Sequence, residues 1–410
     1  MNAMKMWKQV LIGLMLGVIV GFYMGSDAAY LKIFGTIFIS LVKMVIVPLM
    51  FFALVSGISS LGDSSSNVLR ISLKGFGSYI LTSIFAVTLG LVAANFFKPG
   101  IGVDLSSFNG TTTEFTAKAE PFSFVDFMLH LIPTNPINAM ATDNFLQLVI
   151  FSIFVGVAIN LVGEKAKPVK ELAYSASQVT FKMVNVIMKL APLGAFGFIA
   201  SAVGTQGIEV LGSLAKLVVA FLVAGLSQYI LFGVMIFIFG KLSPFPFYKK
   251  MLFTQSIAFA TSSTKATLPT AMTQLQERMG VSKSSSNFLM PLGASMNMDG
   301  MAIYLGICAV FFAQAYGVEL TVSNYMMLVL TCTLGSIGGA GIPSGSLFFM
   351  GMVLASVGLP LEGIGLVVAV DRVLDMIRTT INLTGDATIT LIIDSTEKTL
   401  DRDLYYSKDV

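Results

Sequence analysis

The sequence predicts an all-α polytopic membrane protein, and three observations carry that expectation. Of 410 residues, 55% are hydrophobic and only 11% charged, against about 25% charged in soluble domains. Apolar runs long enough to cross a bilayer recur near 7–24, 33–61, 71–97, 122–162, 178–203 and 209–240. The segment 361–393 is also apolar, yet it carries Asp371, Asp375, Arg378, Asn382 and Asp386. Their offsets of 4, 7, 11 and 15 from Asp371, at 100° per residue, fall within an arc of about 80° on one helix face. At roughly +2.5 to +3.5 kcal/mol per central charge, four charges cost on the order of 10 kcal/mol in hydrocarbon. The stripe therefore has to face protein, ions or a polar solute.

Taken in order, Met1 to Lys8 run directly into apolar sequence with no small-residue cleavage site, so the first run reads as a retained span. Lys5, Lys8, Arg70, Lys74, Lys165, Lys167, Lys170, Lys241, Lys249 and Lys250 cluster at alternate ends of the spans. The positive-inside rule places the N-terminus and the 62–74, 163–172 and 241–250 loops in the cytoplasm, and the C-terminus is expected there too. Segment 98–121, rich in Gly, Ser and Thr, reads as the outer loop, and its Asn109-Gly110-Thr111 sequon is a pattern frequent by chance. A net charge of +3 implies nothing about nucleic acid, and no nucleic acid partner is expected. Cys308 and Cys332 lie in apolar runs and read as packed thiols, and His130 has no Ser or metal-ligand company.

After residue 250 the span pattern breaks twice. A short apolar arm, 251–260, meets the polar run 261–270, and the arm 325–334 meets the Gly-rich run 335–346. Two re-entrant helical hairpins explain both, since unwound backbone at membrane depth is tolerable only against protein or a water-filled cavity. Each hairpin precedes a polar-marked helix, one with Asn297-Met298-Asp299-Gly300 and one with the charge stripe. That order suggests inverted repeats.

Arg378 reads as the sole fixed cation at the stripe's centre, with a planar fork suited to a carboxylate. Its alternative role is an internal ion pair with Asp375 or Asp371. Three Asp for one Arg leave surplus negative charge, so Asp375 is a candidate for a substrate ammonium. Asp386 with Asn382 offers oxygen ligands to a hard cation, and Asp371 reads as structural or part of a second cation site. Gly293 and Ser295 precede Asn297 and Asp299, where a locally unwound helix would expose carbonyl oxygens to Na⁺. Tyr79, Thr82 and Ser83 share one face of the third span; membrane hydroxyls commonly bond their own backbone, so the trio also reads as structural.

These residues resemble the glutamate/aspartate transporters of the dicarboxylate/amino acid:cation symporter class over nearly the whole chain. Thr267-Leu268-Pro269 is similar to the first hairpin tip, Asn297-Met298-Asp299-Gly300 to the seventh-helix signature, and Gly338-Gly339-Ala340-Gly341-Ile342-Pro343 to the second tip. Asp375-Met376-Ile377-Arg378-Thr379 through Asn382 and Gly385-Asp386 resembles the eighth-helix motif. The resemblance implies eight transmembrane helices, two hairpins and a homotrimer among lipid in a prokaryotic inner membrane. Its scaffold would comprise residues 1–68 and 99–204. An elevator-type transport domain would comprise 69–98 and 205–395, with hairpins at 250–278 and 324–360 and helices at 284–316 and 361–395. A cytoplasmic tail, 396–410, would follow.

The resemblance further implies that Arg378 meets an acidic side chain and Asp375 the amino group. Thr379, Asn382, Thr264, Lys265, Met301, Gly341, Ile342, Pro343 and Ser346 would complete the substrate site. Up to three Na⁺ are implied: one at Gly293, Asn297, Asn382 and Asp386; a second at Ser295, Met298, Ser336 and Ile337; a deeper one at Tyr79, Thr82, Ser83, Asn297 and Asp299. No organic cofactor and no enzyme activity are implied. Four positions depart from the family pattern. Met301 replaces a Thr that helps hold the acidic side chain, and Lys265 replaces a hairpin serine. Neither auxiliary-arginine position is basic, being Ser262 and Met376, and Leu305 stands where eukaryotic members carry a protonatable Glu.

The function expected is thus sodium-coupled symport of aspartate or glutamate. Proton coupling, or transport of a neutral or other amino acid on the same fold, is the alternative. A C4-dicarboxylate would face Asp375 with no ammonium to pair it. A passive anion channel fits two gating hairpins less well than alternating access. An intramembrane aspartyl protease needs two carboxylates sharing a proton, whereas Asp386 follows Leu383-Thr384-Gly385 and Asp375 has Arg378 beside it.

Overall fold

The computed structural model describes residues 6–59, 66–105, 129, 132–142, 144–338 and 345–407, which are helical almost throughout. Most of the expected outer loop, His130, and the expected second hairpin tip with Gly341, Ile342 and Pro343 lie outside the described residues. In chain order the helices are α1 (Met6–Met24), α2 (Lys32–Ser59), α3 (Ser66–Phe97), α4 (Pro136–Ala141), α5 (Phe145–Val162), α6 (Lys167–Ile187), α7 (Ala191–Gln206) and α8 (Glu209–Ile238). They continue with α9 (Pro244–Thr261), α10 (Thr264–Met279), α11 (Lys283–Met296), α12 (Asp299–Ala315), α13 (Val322–Gly338), α14 (Ser346–Ser356), α15 (Ile364–Thr396) and α16 (Arg402–Tyr406).

Stretches Lys8–Ser59, Leu73–Phe97, Gln147–Gln206, Glu209–Ile238 and Lys283–Ala315 are long and apolar enough to cross a membrane. α15 runs for 33 residues, about 50 Å at 1.5 Å per residue. Its polar stripe is turned into the protein, with Asp371, Asp375, Arg378, Asn382 and Asp386 all at most 6% exposed. The architecture is that of an all-helical, multi-pass membrane protein.

Two packing groups surround α15. In one, α1 runs along α7, and α2 lies against α5, α6 and α7. In the other, α3 packs on α12 and α8, while α9, α11 and α12 pack on α15. α7 touches α15, and α14 touches α2, joining the groups. The α1–α7 seam rests on small residues at four-residue spacing. A Cβ at Gly13, Gly17 or Gly21 would come within 2.4, 2.8 or 2.5 Å of the carbonyl oxygens of Pro192, Phe196 and Ala200. Such spacing lets two membrane helices approach backbone to backbone.

Three local features differ from the sequence expectation. The polar run after 261 is not unwound beyond Ser262 and Ser263: Ser263 Oγ caps α10 by accepting from Ala266 N at 3.2 Å, and Thr267-Leu268-Pro269 lies inside that helix. Ser262 takes the left-handed conformation (φ 50°) and ends α9. Likewise Gly335 to Gly338 remain helical as the last turn of α13. α6 starts at Lys167, well before the apolar run at 178, because it is amphipathic: Ala173, Ser177, Thr180, Phe181, Val184 and Ile187 form its buried face.

The C-terminal segment is docked. Lys250, expected at a cytoplasmic loop, is buried, and its ammonium donates to the carbonyls of Arg278 (2.7 Å), Leu404 (2.9 Å) and Tyr405 (3.0 Å). Tyr405 is fully buried and donates to Ser243 O at 2.7 Å. Asp401 N reaches Gly280 O at 2.9 Å. Thus α16 ties the ends of α9 and α10 together.

Candidate functional site

The site forms where α15 meets the interruption between α11 and α12. Asn297 and Met298 are the only non-helical residues between those two helices, and both are buried. Gly300 lets α12 begin directly against α15, since a Cβ there would lie 2.6 Å from Arg378 O. Gly300 N donates to Asn382 Oδ1 at 2.8 Å, and Asn382 Nδ2 donates to Met298 Sδ at 3.1 Å. Asn382 therefore pins the interruption with its side chain, leaving the second lone pair of Oδ1 and its backbone as further acceptor capacity.

Two polar clusters result. In the first, Arg378 Nη2 lies 2.9 Å from both Asp371 Oδ1 and Asp375 Oδ1, and the guanidinium carbon stands 4.2 Å from the centre of the Tyr304 ring. Ser346 Oγ donates to Asp371 Oδ1 at 3.2 Å, bringing α14 onto the stripe, and Thr379 Oγ1 donates to Asp375 O at 2.8 Å. Arg378 Nη1 and Asp371 Oδ2 are buried and make no hydrogen bond among the described residues. Arg378 is not the only cation here. Arg372 Nη1 reaches Asp375 Oδ2 at 3.2 Å.

The second cluster is made of oxygens. Asn297 Nδ2 donates to Asp386 Oδ1 at 3.0 Å, while Asp386 Oδ2 is buried without a partner among the described residues. Thr82 Oγ1 approaches Asn297 Oδ1 at 3.3 Å, Ser83 Oγ donates to Asp299 Oδ1 at 3.1 Å, and Gln228 Nε2 to Asp299 Oδ2 at 3.2 Å. Asn297, Asp299 and Asp386 are all 0% exposed. No group of three or more His, Cys, Asp or Glu gathers among the described residues. A cation here would rely on carboxylate, amide, hydroxyl and backbone oxygens together, the donor set of a hard ion. Two buried carboxylates with neutral partners, one oxygen orphaned, fit that demand.

The structure brings some of the residues named from the sequence together and separates others. Thr82, Ser83, Asn297 and Asp299 converge, but Tyr79 turns its hydroxyl away to Leu289 O at 2.9 Å. Ser336 joins this deep cluster through Ser83 Oγ at 3.2 Å rather than meeting Ser295, whose Oγ donates to Pro291 O at 3.1 Å. Ile337 is half-buried beside it on α13. Gly293 packs against Asp386, and Thr264 Oγ1 is buried without a partner among the described residues. Met301 and Leu305 are buried among apolar side chains. Lys265 points elsewhere, with its ammonium 4.9 Å from the centre of the Phe181 ring of α6.

Sequence reasoning missed Gln228, Tyr304 and Arg372. Gln228, an amide inside an apolar span, was a legible signal. So was Arg372, which stands one turn before Asp375.

The profile of the sodium:dicarboxylate symporter family matches residues 6–396. A C4-dicarboxylate transport protein of Rhodospirillum rubrum is 35% identical over 405 residues, covering 97% of this chain and 90% of that protein. A proton/sodium-glutamate symport protein of Bacillus caldotenax is 33% identical over 399 residues, covering 95% and 94%. A proton/glutamate-aspartate symporter of Bacillus subtilis is 34% identical over 395 residues, covering 95% and 94%. With its buried charge stripe and interrupted helix, and matched almost end to end, the chain belongs to the sodium:dicarboxylate symporter family.

Proposed function

We propose that the protein is a sodium-coupled symporter of acidic amino acids, aspartate or glutamate. The observation that carries this reading is the juxtaposition, on one face of α15, of a buried guanidinium–carboxylate cluster and a buried oxygen cluster. Arg378 supplies the fixed positive charge for a side-chain carboxylate, Asp375 the negative charge for an ammonium, and Thr379 and Asn382 lie between the clusters. Asn297, Asp299 and Asp386, with the hydroxyls of Thr82 and Ser83, hold Na⁺ in the oxygen cluster. Because Asn382 bonds the interruption that carries Asn297 and Met298, ion binding and substrate binding share one backbone element, which is a physical route for coupling.

In this reading α9–α10 and α13–α14 are re-entrant hairpins. The group built on α15 is the moving domain, and the group of α1, α2 and α5 to α7 is a homotrimeric scaffold. Three Na⁺ with a monoanionic substrate would carry net +2 inward, so the membrane potential would contribute about 4.6 kcal/mol per 100 mV at 2.3 per charge. C4-dicarboxylate transport is the second reading, favoured by the second guanidinium, Arg372, on Asp375. Initial uptake of labelled aspartate, glutamate, serine and succinate into proteoliposomes under imposed Na⁺, H⁺ or K⁺ gradients separates them. Aspartate or glutamate uptake driven by Na⁺ is expected. Succinate uptake without amino acid uptake would establish the second reading, and H⁺-driven uptake indifferent to Na⁺ would remove sodium coupling.

A further inference from the structure

The geometry points to Arg372 as a second carboxylate-binding residue of the substrate site, one that exchanges Asp375 for the substrate's other carboxylate when substrate enters. This rests on reading the α15 charge cluster as that site. At 100° per residue Arg372 lies 60° to one side of Asp375 on the helix, and Arg378 lies 60° to the other. Asp375 is accordingly capped twice, Oδ2 by Arg372 Nη1 at 3.2 Å and Oδ1 by Arg378 Nη2 at 2.9 Å. Two aspartates, 371 and 375, and two arginines, 372 and 378, sum to zero charge, so no surplus carboxylate awaits an ammonium.

An ammonium that binds Asp375 must therefore displace a guanidinium, and the structure distinguishes the two. Arg378 is 2% exposed, is held a second time by Asp371 at 2.9 Å, and lies over Tyr304. Arg372 is 15% exposed and has one ion pair among the described residues, the longer one. Arg372 is the partner that yields. Its Nε is buried with no hydrogen bond among the described residues, so once released it offers a carboxylate the Nε–Nη edge that binds both oxygens. Thr379, 40° from Asp375 on the same side as Arg372, borders that position. Each of the three charges of an acidic amino acid then meets an opposite one: its ammonium on Asp375, one carboxylate on Arg378, which it shares with Asp371, and the other on Arg372. A diacid lacking the ammonium still uses both arginines but strands Asp375.

The test is equilibrium binding of aspartate, with succinate measured by competition, to purified full-length wild type, Arg372→Gln and Arg372→Lys in saturating sodium. Losing a charge-assisted hydrogen bond of this kind lowers affinity roughly ten- to hundredfold. That loss is expected for aspartate and for succinate in Arg372→Gln, with partial recovery in Arg372→Lys, which keeps the charge without the fork. Both variants should retain the sodium-induced thermal stabilisation of wild type; if Arg372→Gln fails to fold, Arg372→Lys against wild type decides. Unchanged or tighter aspartate binding would overturn the inference, since Arg372 would then only compete for Asp375. A loss confined to aspartate would also overturn it, because Arg372 would then merely position Asp375. If Arg378→Ala binds aspartate like wild type, the underlying site assignment falls, and this inference with it.

Discussion

Replacing Asp386 by asparagine separates ion binding from folding, because the change is nearly isosteric and removes one buried negative charge. The amide oxygen of the new side chain can still accept from Asn297 Nδ2, the 3.0 Å bond of the present structure, so local packing is kept. The oxygen that changes is Oδ2, which is buried and has no hydrogen-bond partner among the described residues. Removing one member of a buried ion pair costs about 3–5 kcal/mol, so sodium affinity should fall by roughly a hundredfold or more. Wild type in sodium at about a hundred times its Kd gains about 2.7 kcal/mol of stability, whereas a site weakened a hundredfold gains only about 0.4. Without sodium the sign reverses: the variant should be at least as stable as wild type, since it no longer buries an uncompensated carboxylate. Thermal unfolding in detergent, in sodium chloride against choline chloride at equal ionic strength, reads both effects. An equal sodium-induced rise in midpoint for wild type and variant would refute the assignment of Asp386 as an ion ligand.

Three further outcomes follow from the packing. Lys250→Met leaves three carbonyls without their donor; at about 1–3 kcal/mol for an orphaned buried group, α16 should detach, read as faster proteolysis after residue 397, and an unchanged cleavage rate would deny the latch. Gly17→Val should destabilise the protein by about 1–3 kcal/mol, because its Cβ would sit 2.8 Å from Phe196 O; a wild-type unfolding midpoint would show that α1 and α7 are not packed this closely. Glu397 accepts from Lys74 and lies beside Arg70, which holds its carboxyl below the usual value. A depressed carboxylate contributes above its unfolded pKa of about 4.3 and loses that contribution as pH falls through its lower folded value. Glu397→Gln should therefore cost no more than about 1 kcal/mol at pH 7, with the difference from wild type vanishing once pH has fallen below the carboxyl's lowered folded value; a difference that persists there would exclude the ion pair as its cause.

Period and charge made the fold class and the axis of the site legible. The α15 stripe reads directly, because ionised residues at 3.6-residue spacing in an apolar helix can only turn inward, and the burial of all five residues follows. Asn297-Met298 reads as an interruption because Asn, Asp and Gly cluster inside an apolar helix. Contacts between elements distant in sequence were less legible. Gln228 meets Asp299 across 71 positions, and nothing local announces that. Lys250 counted as a surface cation by the positive-inside rule, but its fate depends on the tail more than 150 residues later. Arg372 lies off the main stripe, so the period that marks the other five residues does not pick it out. The turn at 262–263 read too long because threonines and a proline look like loop, although a Ser263 cap suffices to start a helix there.

The most direct test of sodium-coupled recognition is the dissociation constant of aspartate for the purified protein across a series of sodium concentrations, with choline holding ionic strength constant. If Asn297, Asp299 and Asp386 bind ions on the same backbone that positions Asn382, affinity rises steeply with sodium. A log–log slope above one is then expected, approaching the number of coupled ions. An aspartate affinity equal in choline and in sodium would contradict that coupling.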